Sequence, residues 1–279
     1  MSSLLRIRQL YPGLAMNERR LADYLLSQPD HARHLSSQKL AEESGVSQSS
    51  VVKFAQKLGY KGFPALKLAL SESLADKDAI TVHNLILSDD PLKTVGEKLL
   101  TEKQSAIRAT LDINSEEMLV ETLRLLRSAN RIVLVGIGAS GLVAKDFSWK
   151  LMKIGINAVA EQDMHALLAS VQALNPGDLL LAISYTGERR EINLAAQEAQ
   201  RAGANVLAFT GFTPNTLQQC ASHCLYTVAE EQMTRSAAIS STTAQLTLTD
   251  LLFMALVQRD PERASSHIRH SEALVKKLV

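Results

Sequence analysis

Apolar residues recur at helical spacing through the first ~75 positions. In "NERRLADYLLSQ" (17–28), Leu21, Tyr24, Leu25 and Leu26 predict a helix. "SSQKLAEES" (36–44) predicts a second, with Ser36 or Ser37 as its N-cap. "SQSSVVKFAQKLG" (47–59) predicts a third, capped by Ser47 and stopped at Gly59. "FPALKLALSESLA" (63–75) returns to helix with Pro64 in the permitted first turn. Residues 76–89 have no period and read as a linker. Amphipathic helices follow over 91–111 and 115–129, the latter opened by Ser115. Both have faces suited to self-association.

From Arg131 the rhythm changes. Short apolar runs, "RIVLVG", "NAVAE", "LLLAIS", "NVLAFTG" and "HCLYTV", alternate with helical segments over 141–154, 164–174, 188–202 and 214–221. A long helix over 241–259 closes the series. Strands alternating with helices predict an α/β unit, a doubly wound parallel sheet of five strands. Such sheets bind ligands at the carboxyl ends of their strands. The expected domains are 1–77, a connecting segment 78–114, and 115–279.

The third helix has two faces. Taking Val51 as reference, Phe54, Ala55 and Leu58 cluster with it, and Ser49, Lys53 and Gln56 lie opposite, flanked by Ser50 and Lys57. The preceding helix supplies Leu40 and Ala41, with Ala41, four residues before Gly45, as the small side chain a close helix crossing needs, and "GV" (45–46) makes a tight turn. This is a helix–turn–helix arrangement, with 47–57 as recognition helix. Charge supports it. The chain carries 30 Lys/Arg against 29 Asp/Glu, yet residues 45–71 hold four lysines and no acid. Absence of acid removes repulsion of phosphate, and lysines release counterions on binding DNA. Ser47, Gln48, Ser49, Ser50, Lys53, Gln56 and Lys57 are the expected DNA contacts, with Lys61 in the loop "YKGF" beside the backbone.

Two loops carry the candidate ligand chemistry. "VGIGASG" places Gly136, Gly138 and Gly141 between strand and helix, a G-x-G-x-x-G with Glu161 twenty residues on, which admits a dinucleotide. "AISYTGERRE" ends the third strand with Ser184 and Thr186, then Gly187 at a helix start. Two hydroxyls with free N–H groups suit a compact phosphate, and Ser140 on the neighbouring strand end adds a third. Arg189 is placed to pair with phosphate. His165 follows the second strand. In "EEQMTRS" after the fifth strand, Glu231 can accept a sugar hydroxyl and Arg235 can orient it. Cys220, His223 and Cys224 cluster without a fourth ligand, so no metal is expected. Two cysteines form no disulfide framework, which fits a reducing cytoplasm. No apolar run approaches a membrane span, and "MSSLLRIRQLYPGLAMNERR" has no signal-peptide core.

The stretches "LSSQKLAEESGVSQSSVVKFAQKLGYKGFPALKLAL", "GIGASGLVAKDFSWKLMKIG", "AISYTGERREI" and "RSAAISSTTAQLTLTDLLF" resemble RpiR-type bacterial transcriptional regulators. These join a helix–turn–helix module to a sugar isomerase (SIS) domain. The resemblance covers nearly the whole chain. "SQSSVVKFAQKLG", "KLMKIG" and "TDLLF" are especially similar to the MurR-like branch, whose effector is an amino-sugar phosphate. The resemblance implies phosphosugar binding by Ser140, Ser184 and Thr186, with Gly138 and Gly187 shaping the loops and Glu231 where such domains carry a sugar-contacting acid. One position departs: the usual S-x-S-G-x-T reads S-Y-T-G-E-R here, with Arg189 in place of the last hydroxyl. SIS domains usually pair, which implies a homodimer or tetramer on a palindromic double-stranded operator. A cytoplasmic regulator without cofactor or catalysis is the expected outcome. The alternatives are a phosphosugar isomerase or lyase using Glu231 or His165 as base, and a redox regulator reading NAD(H).

Overall fold

A computed structural model describes residues 3–74, 81–161, 163–229 and 238–278. It divides into two compact units, one reaching Glu102 and the other starting at Lys103.

The first unit is largely helical: α1 (Ser3–Leu10), α2 (Met16–Ser27), α3 (Pro29–Ala32), α4 (Ser37–Ser44), α5 (Gln48–Lys57) and α6 (Phe63–Leu74). Its core takes Leu21 and Leu25 from α2, Leu40 from α4, Val51, Phe54 and Ala55 from α5, and Leu66 and Leu70 from α6, all at most 1% exposed. These are the positions that helical periodicity selects. Ser36 caps α4 by accepting from Lys39 N, and Ser47 caps α5 by accepting from Ser50 N. Gly45 ends α4 with φ +67, and a Cβ there would meet only Arg20 Nη1, at 3.9 Å. Its left-handed backbone makes the tight turn that the sequence predicts. The predicted linker also contains a small hairpin, β1 (Thr81–His83) and β2 (Ile86–Leu87), turning through Asn84 at φ 46. α7 (Leu92–Ile113) follows.

The second unit begins within α7 and continues through α8 (Glu116–Ser128), β3 (Ile132–Gly136), α9 (Ala139–Lys153), β4 (Ala158–Ala160) and α10 (Met164–Gln172). β5 (Leu179–Ser184), α11 (Arg190–Arg201), β6 (Asn205–Gly211), α12 (Thr216–Cys220), β7 (His223–Thr227), α13 (Ile239–Arg259) and α14 (Pro261–Val275) complete it. The five strands β3–β7 pair in parallel, in the order β4-β3-β5-β6-β7. This is the doubly wound sheet the alternation predicts. One face packs against α8, α9, α13 and α14, centred on Leu134, Phe147, Leu181, Phe209 and Leu248. The other packs against α10, α11 and α12 through Val133, Leu167, Leu180, Ile192 and Leu217. The order reverses between β3 and β5, so the loops after these two neighbouring strands flank the crevice.

Several element ends differ from expectation. α11 starts at Arg190 with Arg189 as N-cap, so Arg189 precedes the first turn rather than lying in it. The unit closes with α14, whose Asp260 cap accepts from Arg263 N ahead of Pro261. The edge strand β7 is covered by side chains of α7 and the residue that follows it: Asn114 Nδ2 donates to Tyr226 O at 2.8 Å and its Oδ1 accepts from Tyr226 N at 2.8 Å. Two residues beyond Tyr226, Thr110 Oγ1 accepts from Val228 N at 3.1 Å and donates to Val228 O at 3.3 Å.

Candidate functional site

On α5 the expected contacts separate by what they already hold. Val51, Phe54 and Ala55 face the core, while Ser47, Gln48, Ser49, Lys53, Gln56 and Lys57 are exposed and Ser50 is half-buried. Ser47 Oγ caps the helix and lies within 2.9 Å of the Ser49 and Ser50 hydroxyls. Gln48 Nε2 donates to Ser37 Oγ at 2.9 Å, tying α5 to α4. Lys57 pairs with Glu18 at 2.7 Å. Lys53 and Lys61 are exposed and form no ion pair among the described residues. Lys67 donates to the Leu35 carbonyl at 3.0 Å, which accounts for that lysine within the fold. Lys53, Gln56 and Lys61 are thus the expected contacts whose exposed side chains hold no hydrogen bond or ion pair among the described residues.

The Lys57 hydrogen bond holds the Glu18 carboxyl below its usual range. A depressed carboxylate stabilises the fold above its unfolded pKa, and this contribution fades as pH falls through the folded value. Lys57→Met is expected to cost under about 1 kcal/mol near neutrality. That difference should vanish in acid, measured by denaturant titration of both proteins at several pH values.

At the other unit's strand ends, β5 turns sharply after Ser184. Ser184 is buried at 4% exposure, and its Oγ accepts from Gly187 N at 3.3 Å. Gly187 has φ +68, and a Cβ there would fall 2.0 Å from Asn215 Oδ1. Its carbonyl accepts from Asn193 Nδ2 at 3.1 Å and from Leu217 N at 3.0 Å. Thr186 is exposed and its Oγ1 accepts from Glu188 N at 3.4 Å. Glu188 reaches to α12 and accepts from Thr216 N at 2.9 Å and Thr216 Oγ1 at 2.6 Å. Its carboxylate is thereby held by the start of α12. Arg189 is exposed, with no ion pair among the described residues.

On neighbouring β3, Gly138 (φ 61, ψ −129) caps α9 and Ser140 lies in its first turn. Ser140 Oγ accepts from Gln245 Nε2 at 3.0 Å. A Cβ on Gly136 would lie 2.6 Å from Ser140 O, and one on Gly141 2.8 Å from Gly136 O. The first and third glycines of the motif are therefore required by the turn's own packing, whatever it binds.

Three buried side-chain atoms of this unit have no hydrogen-bond partner among the described residues: Asn193 Oδ1, Thr210 Oγ1 and Gln245 Oε1. Asn193 holds the Gly187 carbonyl, Thr210 sits in register beside Ser184, and Gln245 holds Ser140. Buried orphans are rare and call for a missing water or ligand. These residues were invisible to sequence reasoning, because their role lies in contacts distant along the chain.

His165 is exposed on α10. Cys220 is buried, and burial pushes the Cys224 thiol up to about 11, far from a thiolate at neutral pH. His223 Nε2 is 2.9 Å from Met118 O. Packing thus accounts for that cluster, and no metal-ligand group occurs among the described residues. Glu231 and Arg235 lie outside the described residues. A groove of about 280 Å³ opens at the opposite, amino end of the sheet, between Leu126, Asn130, Ile154, Asn157 and Leu256, away from these loops. No described helix is long and apolar enough to cross a membrane.

Residues 1–77 match the helix–turn–helix domain of the rpiR family, and residues 125–255 match the SIS domain. A protein from Escherichia coli (strain K12), described as the uncharacterized HTH-type transcriptional regulator YfhH, is 69% identical over 282 residues, covering all of both chains. The chain belongs to the RpiR family. It is a DNA-binding transcriptional regulator with a SIS sugar-binding domain. Solved structures share the fold. The Vibrio vulnificus NanR protein complexed with ManNAc-6P superposes with a TM-score of 0.66 at 23% identity, over 100% of this chain and 99% of that one. The sugar isomerase domain of an RpiR transcription factor from Sphaerobacter thermophilus covers 64% of this chain and 99% of its own, with a TM-score of 0.58 at 21% identity.

Proposed function

We propose that this RpiR-family regulator is controlled by a phosphorylated amino sugar held between the β3 and β5 loops. The reading is carried by the Ser184–Gly187 turn. A buried serine hydroxyl accepts a backbone N–H and keeps its own proton to donate, and Ser140 lies in the first turn of α9 after the neighbouring strand β3. Thr186 and Arg189 border the turn, and the three orphaned polar atoms belong to residues that hold Gly187, pair with Ser184 in the sheet and hold Ser140. The NanR neighbour's ManNAc-6P gives the amino-sugar class its support. Glu231 is the proposed sugar-contacting acid. The effector acts by binding two conformations or assembly states unequally and so shifts operator affinity. Two copies presenting two α5 helices suit a palindromic operator.

We favour a regulator without turnover. The family is regulatory, and the candidate base His165 is exposed. The close packing of Gly136 and Gly141 is common to both loop types and does not favour the NAD(H) reading over a phosphosugar.

The test is fluorescence anisotropy on DNA from upstream of the gene, against a scrambled duplex at fixed salt, with and without a panel of sugar phosphates. Specific binding shifted by one amino-sugar phosphate supports the reading; binding that no sugar phosphate shifts removes it. Lys53→Ala should weaken binding to every sequence and reduce the salt slope by about 0.9 for each phosphate no longer neutralised. An unchanged slope would take Lys53 off the DNA face.

A further inference from the structure

Gln245 lies on α13 and is 1% exposed. Its Nε2 donates to Ser140 Oγ at 3.0 Å across 105 residues of sequence, and its Oε1 has no partner among the described residues. A half-satisfied buried amide is costly, because the unpaired oxygen has lost water and gained nothing. A leucine or methionine would fill the position at lower cost. The amide is therefore kept for what its N–H does to Ser140.

A serine hydroxyl has one proton and two acceptor lone pairs. Within helices that proton commonly goes to a carbonyl of the preceding turn. Ser148, on the same helix, does this, donating to Lys145 O at 2.8 Å. Ser140 makes no such bond among the described residues. With the Gln245 N–H on its oxygen, Ser140 retains an uncommitted proton. In the opposite amide orientation Ser140 would donate to Oε1 and have no proton left for an anion.

We propose that Gln245 is a positioning residue for Ser140: its amide N–H occupies the serine oxygen, so that the serine proton is directed to an anionic ligand oxygen. This rests on the phosphosugar reading of the Ser140 loop. It adds a residue outside the loop motifs and ties occupancy of the loop to α13. In the bound state Ser140 accepts from Gln245 and donates to the phosphate, a relay of two hydrogen bonds in one direction.

The experiment is calorimetric titration of the full chain with inorganic phosphate, glucosamine 6-phosphate and N-acetylmannosamine 6-phosphate, alongside thermal unfolding. The proteins are wild type, Ser184→Ala, Ser140→Ala, Gln245→Met, and the Ser140→Ala/Gln245→Met double variant. Gln245→Met is expected to weaken the best-binding probe about fivefold, the worth of one ordinary hydrogen bond. Its unfolding midpoint should hold or rise, because the orphaned oxygen is gone. In the Ser140→Ala background the same change should cost less than about twofold, since its target is absent. A packing role predicts the opposite: a lower midpoint and equal losses in both backgrounds. Either of those results, or wild-type affinity in Gln245→Met, overturns the proposal. Should Gln245→Met not fold, Gln245→Leu carries the test. It too removes the N–H from Ser140 and adds no charge, so binding should fall about as far; wild-type binding overturns the proposal. If Ser184→Ala weakens binding and the Gln245 variants do not, the positioning role alone fails. If no probe binds wild type, the phosphosugar reading and this inference fall together.

Discussion

Gly187→Val should abolish the response to effector while leaving operator binding measurable. Gly187 has φ +68, where a β-branched residue is a severe outlier, and its new Cβ would lie 2.0 Å from Asn215 Oδ1 and 2.2 Å from Asn215 Cγ. Asn215 cannot simply move aside: its Nδ2 donates to Gly211 O and Thr213 O, and its Oδ1 caps α12 by accepting from Gln218 N. The turn must open instead. That breaks the Gly187 N–H bond to Ser184 and the two bonds its carbonyl accepts. A cost of at least about 2 kcal/mol is expected from the backbone conformation and clash together. The helical unit has its own core and should still recognise DNA. Anisotropy with a dose series of the effector reads the first effect, and thermal unfolding reads the second. A wild-type dose curve would remove the Gly187 turn from the ligand site.

Phe54→Ala should have the other large effect, on the helical unit. Phe54 is 1% exposed at the centre of α5, where α2, α4 and α6 converge. Deleting a buried phenyl ring costs about 3–5 kcal/mol through lost burial and the cavity left behind. A unit of this size has little stability to spare. DNA binding should disappear on specific and scrambled duplexes alike, and far-UV circular dichroism in denaturant should show the helical transition at lower concentration. Sugar-phosphate binding should persist. This differs from Lys53→Ala, which alters affinity and salt slope without moving the transition. If Phe54→Ala keeps wild-type DNA binding, α5 is not held by this core and the recognition-helix assignment is wrong.

Much of this architecture was legible because its signals are local. Ser36, Ser47 and Ser115 each cap the helix their position announces. The strands are uninterrupted apolar runs, as burial on both faces requires. Hidden features had weak local signals. Strands of three and two residues are too short for alternation to register, so the 81–87 hairpin read as linker. α14 buries only Ala264 fully and has little apolar pattern, although Asp260–Pro261 was a readable cap. At the ligand site, Ser140, Ser184 and Thr186 stood out because they lie at or just beyond strand ends. Gln245, Asn193, Thr210 and Asn215 did not, because nothing nearby in sequence marks a mid-helix amide or a strand threonine as the holder of a distant loop. Lys57 shows the converse. Its residue type announced a phosphate contact, and only the fold revealed Glu18 beside it.

The cover over β7 bears on how copies of this protein can meet. An edge strand with open N–H and C=O groups is a template for another chain's strand. Asn114 and Thr110 occupy those groups at Tyr226 and Val228, imitating a sixth strand with two side chains from a helix and its end. The opposite edge, β4, is only three residues long. Neither edge therefore offers a long open ladder, and a strand added beside β7 would first have to displace these side chains.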